Sequence, residues 1–317
     1  MKAVLLAAGK GQRLSPISDK TSKLMIMING KPFLEYIIND LINVGILDIC
    51  IVVGHLGNQI RDYFGNGNDF GVKIEFVIQE KALGTADALR YAEKFVGNDS
   101  FLLYLPDTIL SNGLVSYFDE MIRTNSEIHL LASEVSQENI SHVGTMEINE
   151  NKVTKINEKS SNTSSNLAWA GIAFFKTNLI FKSIKTLSLS VRGEYEITEA
   201  MNKIFDSNKE IEFQISKKFI DLGTPKGLFE VVKFLLTKIP STSVNIPNVS
   251  LIQPVFIGKN TTICHGCTIG PFVSIEENVQ IKNSIKINNS FILSGSNVNS
   301  LNDIENKIIS SNGIITF

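Results

Sequence analysis

The sequence holds 317 residues, 43% hydrophobic and 20% charged, enough apolar mass to bury one large domain and a small one. Its formal charge of −2 offers no bulk attraction to nucleic acid or to an anionic membrane, so neither is expected as a partner and any anion site must be local. No apolar run approaches the ~18 residues of a spanning helix, and three cysteines without framework spacing fit a reducing, cytoplasmic setting. The apolar stretch of the opening MKAVLLAAGKG is short and lacks a cleavage region, so it reads as a buried strand rather than a signal peptide.

In chain order, Ala3–Ala8 and Ile49–Val53 read as parallel strands buried on both faces, because neither alternates with polar residues. Between them Pro32–Val44 is predicted helical: Phe33, Tyr36, Ile37, Leu41 and Val44 share one stripe, and Gly45 closes it. Ile60–Phe64 follows as a helix, Lys73–Ile78 as a strand, Ala86–Phe95 as a helix and Ser100–Leu105 as a strand ending at Pro106-Asp107. This alternation predicts a Rossmann-like three-layer α/β domain over 1–238. Ligands of such sheets bind beyond the carboxyl ends of strands, where the Gly9 loop and Asp107 fall.

After a linker at 239–248 the texture changes. Leu251, Ile257, Ile263, Ile269, Ile275, Ile281, Ile287 and Leu293 recur every six residues, with a second file at Val249, Val255, Thr261, Cys267, Val273, Val279, Ile285 and Phe291. An α-helix turns every 3.6 residues and cannot keep such a file on one face. A three-sided parallel β-helix can, at six residues per side, so 249–317 is predicted to be a β-helix of hexapeptide repeats, with an irregular tail after Leu293 as its cap. Cys264-His265-Gly266-Cys267 has a CxxC spacing, but a structural zinc site takes four ligands, and packing in the coil is the better reading.

The loop GKGQRL after the first strand lacks the Lys-Ser/Thr of a Walker loop and the third glycine of a dinucleotide fingerprint, so Gly9 and Gly11 signify either an anion cradle or a tight turn. Arg13 and Lys23 read either as phosphate ligands or as solvated surface cations. Asp107, and Asp221 in FIDLGTPKG, stand at strand ends, where two carboxylates suit Mg²⁺ and where turn-forming aspartates are also common.

Taken in order, these segments resemble the sugar-1-phosphate nucleotidylyltransferases that carry a C-terminal left-handed β-helix. GKGQRLSPISDKTSK is similar to that family's opening, which implies catalytic roles for Arg13 and Lys23 and nucleotide binding by Ala8, Gly9 and Gly11. QEKALGTADAL resembles its base-reading segment, implying contacts from Gln79, Gly84 and Thr85; a glutamine there can both donate to and accept from uracil or thymine. Asp107 and Asp221 match its catalytic metal ligands, with Mg²⁺ as cofactor, and Gly144, Glu158, Lys159, Gly171 and Glu194 match residues that bind the sugar phosphate. The sequence departs from the pattern at Gln12, Ser22, Leu24, Pro106 and Trp169.

The implied reaction joins UTP or dTTP to a hexose 1-phosphate, glucose 1-phosphate first among them, and releases pyrophosphate. A sugar phosphate is already an anionic nucleophile, its second pKa being ~6, so the site needs cations rather than a base. Alternatives are a catalytically silent regulatory subunit, which the intact Arg13, Lys23, Asp107 and Asp221 oppose, and a bifunctional enzyme with acetyltransferase activity, which the short β-helix opposes. An open coil end presents unpaired strand edges that need a cap or a partner, so a homo-oligomer assembled through the β-helix is expected.

Overall fold

The structure, a computed structural model, describes all residues except 150–151, 161–162, 164, 206, 208–209, 240–245 and 301, and only the backbone of 138, 139 and 142. Packing divides the chain into two units: Met1–Lys10 with Ile37–Phe219, and Gly11–Tyr36 with Ile220–Phe317. The linker expected at 239–248 falls largely outside the described residues.

The first unit is built on one mixed sheet. Its strands are β1 (Lys2–Ala7), β2 (Asp48–Val53), β3 (Lys73–Ile78), β4 (Phe101–Tyr104), β5 (Ile128–Glu134), β6 (Gly144–Asn149), β7 (Lys152–Glu158), β8 (Leu167–Phe175) and β9 (Ile211–Ile215). They run in the order β7-β6-β8-β4-β1-β2-β3, with β5 paired to both β8 and β9. The block β4-β1-β2-β3 is parallel, and β8 joins it antiparallel through β4. Strands β1 and β2 lie at its centre, which is why Val4, Leu5, Ile49 and Ile51 are fully buried and why neither strand alternates in polarity. Strand β3 is the edge and does alternate, with Ile74 buried between exposed Lys73 and Glu75.

The predicted helices form with shifted ends: α1 is Phe33–Asn43 and α2 is Gly57–Phe64. Gly45, in left-handed backbone at φ 76°, closes α1 as its sequence position predicts. The single helix expected over Ala86–Phe95 is instead two, α3 (Thr85–Arg90) and a turn at Glu93–Val96. Among the described residues no helix is long and apolar enough to cross a membrane.

Helix α1 carries the half-buried Asp40 at a cost. Asp40 Oδ2 has no hydrogen-bond partner, and burial pushes its pKa up to about 6, opposed by a hydrogen bond from the backbone of Leu114. Because the folded value lies above the unfolded one, stability is fullest below pH ~4 and falls as pH rises through about 6. Asp40→Asn is therefore expected to stabilise the protein at pH 7 by about 2–3 kcal/mol and to flatten this dependence between pH 5 and 7. Urea midpoints at the two pH values measure it, and identical slopes for both proteins would refute it.

In the second unit, residues 250–310 supply three parallel sheets visited in rotation. One pairs Ser250–Leu251, Thr268–Ile269, Lys286–Asn288 and Ile304–Glu305; another Val255–Ile257, Val273–Ile275, Ser290–Ile292 and Lys307–Ser310; the third Thr262–Ile263, Gln280–Ile281 and Asn297–Val298. Val255 sits opposite Val273 and Thr268 opposite Lys286, eighteen residues on, as three six-residue sides require.

Two expectations here need correction. Ile275 pairs with Ile292, not Leu293, and Val273 with Ser290, not Phe291. The coil loses one residue near Asn288-Asn289, so Ile292 enters the coil's core while Phe291, equally buried, stays outside that core on a strand against α5 (Pro225–Leu236). The tail is also regular: Asn297–Val298, Ile304–Glu305 and Lys307–Ser310 continue the stack, and Gly313–Thr316 then folds back antiparallel on Lys307–Ser310. Cys267 lies in the coil's core, its thiol donating to the Asn283 carbonyl, with Cys264 packed against it, as the packing reading requires. Among the described residues no cluster of three or more His, Cys, Asp and Glu side chains could hold a metal.

Candidate active site

The second unit gathers four of the predicted residues. Gly11 adopts left-handed backbone at φ 67° and opens a short 3₁₀ turn, Gln12–Leu14. A β-carbon on Gly11 would stand 3.2 Å from that of Lys23, so a glycine here lets Lys23 pack against the loop. Ser18 donates to the Gly11 carbonyl, and buried Leu14 and Ile17 pin the segment from below, leaving Arg13 exposed.

Beyond Lys23, the chain turns through Asn29 and Gly30, both at positive φ. Their N–H groups donate to the two oxygens of Glu276, a fully buried carboxylate of the coil that also accepts from the Ser274 hydroxyl. Burial raises the Glu276 pKa and these hydrogen bonds oppose the rise. Glu276 thus fixes the turn that follows Lys23; as one of two adjacent glutamates among repeat residues it gives no sequence signal of this.

Asp221 ends the strand Phe219–Asp221, and α5 begins four residues later with Thr224 as N-cap and Pro225 at its first position. The N–H of Gly223 donates to Asp221 Oδ1. A β-carbon on Gly223 would stand 2.6 Å from Arg13 Nη2 and 2.8 Å from Asp221 Oδ1, so the guanidinium and the carboxylate both close on the space this glycine leaves.

The remaining predicted residues belong to the first unit. Ala8 follows β1 and lies against Gly54, with exposed Gly9 beyond it. Asp107 rides on a turn secured at both sides: Leu105 N–H donates to the Gly171 carbonyl, and the Thr108 hydroxyl faces the carbonyls of Leu105 and Ala170. Gly171 sits in an irregularity of β8 at φ 78°, and a β-carbon there would press on Leu105 at 3.1 Å. Gly171 therefore backs the Asp107 turn. Trp169 is turned into the core, its indole N–H donating to the Ile172 carbonyl.

Gln79 is 6% exposed, and its amide nitrogen donates to the Gly84 carbonyl at 3.1 Å and to Asp87 at 2.9 Å. Gly84, at φ 107°, leaves no room for a side chain: a β-carbon would come within 2.5 Å of the Tyr195 carbonyl. Backbone bonds join the two segments, Tyr195 N–H to Leu83 and Ala86 N–H to Tyr195, and the Thr85 hydroxyl accepts from Ile197 N–H at the start of a helix, α4 (Ile197–Phe205), that follows the GEYEI segment.

Glu158 pairs across the β6/β7 ladder with Gly144, which leaves space for its carboxylate. Glu158 accepts from the Thr198 hydroxyl and lies 3.6 Å from Lys159 Nζ. Arg192, which the sequence reading missed, reaches Glu158 at 3.4 Å, Glu194 at 3.2 Å and Glu196 at 3.2 Å. Burial and the neighbouring Glu158 charge raise the pKa of Glu196, while Arg192 opposes them. The only sequence signal of Arg192 is its place directly before GEYEI. In the first unit two cations, Lys159 and Arg192, thus stand among carboxylates beside the Tyr195 segment that bonds to Leu83 and Ala86.

The architecture is that of an α/β protein, and glycines shape the backbone of each of these clusters. The family described as nucleotidyl transferase matches residues 2–238, and that described as GMPPB C-terminal domain matches 251–316. A low-salt glycan biosynthesis nucleotidyltransferase of Haloferax volcanii is 33% identical over 239 residues, covering 74% of this chain and 66% of that protein. A glucose-1-phosphate thymidylyltransferase of Streptomyces griseus is 27% identical over 299 residues, covering 88% of this chain and 83% of its own. A crystal structure from Bacillus anthracis, assigned as a glucose-1-phosphate thymidylyltransferase and holding sucrose, matches with a TM-score of 0.67 at 30% identity, over 78% of this chain and 97% of that one. The chain belongs to the nucleotidyl transferase family and is an enzyme of its sugar-1-phosphate nucleotidyltransferase class. It spans just under two thirds of the Haloferax protein's length.

Proposed function

We propose that the chain transfers a nucleotidyl group from UTP or dTTP to a hexose 1-phosphate, glucose 1-phosphate being the first candidate, with release of pyrophosphate. The observation that carries this reading is the closing of Arg13 and Asp221 on the space left by Gly223, a guanidinium beside a carboxylate at the mouth of a capped strand–helix turn. A guanidinium suits phosphate oxygens and a carboxylate suits a divalent cation.

In the reaction, an oxygen of the sugar phosphate forms a bond to the α-phosphorus as the bond from that phosphorus to the bridging oxygen of pyrophosphate breaks. No proton need move, because the nucleophile is already anionic. Ala8, Gly9 and Gly11 cradle the triphosphate with backbone N–H groups. Arg13 binds its oxygens and screens the departing pyrophosphate, and Lys23 lies between the two substrates' phosphates and lowers their repulsion. Gln79, Gly84 and Thr85 take the base. Gly144, Glu158, Lys159, Gly171 and Glu194 serve the sugar phosphate, with Arg192 beside them.

Asp107 and Asp221 are the proposed ligands of Mg²⁺. The donor set fits: both are partly exposed hard-oxygen ligands on backbone turns that other hydrogen bonds already fix. When bound, the ion supplies neutralisation of phosphate charge. The C-terminal stack is proposed to be a left-handed β-helix over 249–317, joined by a linker at 239–248 to a catalytic domain over 1–238, and to serve homo-oligomer assembly in the cytoplasm.

Assaying four nucleoside triphosphates against glucose, N-acetylglucosamine, galactose and mannose 1-phosphates by pyrophosphate release tests the reading. Turnover is expected with UTP or dTTP and glucose 1-phosphate, dependent on Mg²⁺. No release from any pairing would end it.

A further inference from the structure

Gln79 was expected to meet a base with both faces of its amide, donating and accepting together. The structure allows it less. Both N–H bonds of its Nε2 have acceptors within the protein, the Gly84 carbonyl at 3.1 Å and Asp87 Oδ2 at 2.9 Å. A carbonyl oxygen can only accept, so it draws the nitrogen end of the amide toward itself, and the shorter bond to the charged Asp87 carboxylate holds it there. Asp87 is 2% exposed and is itself held, its other oxygen lying 2.6 Å from Arg90 Nη2, which can only donate. The relay Arg90–Asp87–Gln79 therefore has one polarity along its length, and Oε1 is the atom Gln79 has left to offer a ligand.

We infer that Asp87 is a positioning residue that makes the base site a reader of imide N–H groups. This rests on the proposal that the Gln79 segment binds the base. Uracil and thymine carry a donor N3–H between two carbonyls, which an amide oxygen accepts. Cytosine presents a bare N3, an acceptor, and meets Oε1 lone pair to lone pair. The site discriminates by leaving that pair unbonded, which a buried polar group tolerates poorly. It does not separate uracil from thymine, whose N3–H groups are alike.

The wild-type protein is assayed with glucose 1-phosphate and UTP, dTTP, CTP or 3-deazauridine 5′-triphosphate, in which C–H replaces the N3–H at nearly unchanged shape. The 3-deaza nucleotide is expected to lose at least about tenfold in kcat/KM against UTP; use within twofold of UTP overturns the inference. In Asp87→Asn, the new amide turns its oxygen to Arg90 and its NH₂ to Gln79, favouring the flipped Gln79 amide. The UTP-to-CTP ratio of kcat/KM is expected to fall at least about tenfold. A merely structural loss lowers both rates together and leaves the ratio alone, so an unchanged ratio in a folded variant also overturns it. If the variant does not fold, the 3-deaza comparison decides alone. Absence of turnover with both UTP and dTTP for every hexose 1-phosphate is a different failure, that of the proposed function.

Discussion

Asp221→Asn is expected to lower kcat by about 10²- to 10³-fold while leaving the fold in place. The amide keeps an oxygen able to accept from Gly223 N–H, so the turn into α5 retains its internal hydrogen bond. What it loses is the negative charge through which a divalent cation is proposed to be held. Pyrophosphate release followed over a magnesium titration should show a lower plateau and a higher half-saturating concentration, with the urea midpoint within experimental error of the wild type. A kcat within threefold of wild type would remove Asp221 from the metal site, and with it the main chemical role of the strand–helix turn.

The second large effect is structural, and here two physical terms oppose each other. Gly227 is the third residue of α5, where propensity alone predicts that alanine stabilises by about 1 kcal/mol. A β-carbon there would lie 2.0 Å from the Asp221 carbonyl oxygen, a backbone atom that no rotamer change can move aside. Its N–H also donates to Thr224 Oγ1 at 3.1 Å, the cap that starts the helix, so the backbone cannot retreat without breaking it. The clash wins. Gly227→Ala is expected to cost about 3 kcal/mol or more and to lower kcat as well, because relief of the contact shifts Asp221. Urea denaturation alongside the same assay measures both, and a stability change under about 0.5 kcal/mol would show that the contact relaxes cheaply.

The contrast between these two positions indicates what the sequence makes legible. Asp221 is visible because a carboxylate at a strand end before Gly-Thr-Pro matches a motif, and the resemblance gives that motif a chemical meaning. Gly227 is not, because its constraint is a backbone approach that appears only after folding. The central strands were readable for a simple reason: burial on both faces removes polar residues from Val4–Leu5 and Ile49–Val53 alike. The break at Tyr91-Ala92 was not, since both residues are ordinary helix formers, and their turn is read only from the backbone. The six-residue file revealed the stack of parallel strands, yet a strict period hides a one-residue loss, because the apolar residues Phe291, Ile292 and Leu293 satisfy either register.

Of the proposed site, the charged residues that stand in motifs could be named from the sequence: Arg13, Lys23, Asp107 and Asp221. The residues that orient others were not. Asp87, Arg192 and Glu276 act through partners 8, 34 and 246–247 positions away, separations that a single sequence cannot pair.

The stitching of Leu83 and Ala86 to Tyr195 carries a consequence for how such an enzyme diversifies. The strip proposed to hold the base and the strip proposed to hold the sugar share a seam of main-chain bonds. A backbone shift that admits a new sugar is transmitted to Gly84, whose carbonyl sets the amide of Gln79. Preferences for donor and acceptor substrates are then inherited as a package, and changing one without drift in the other requires substitutions that leave the seam at Tyr195 untouched.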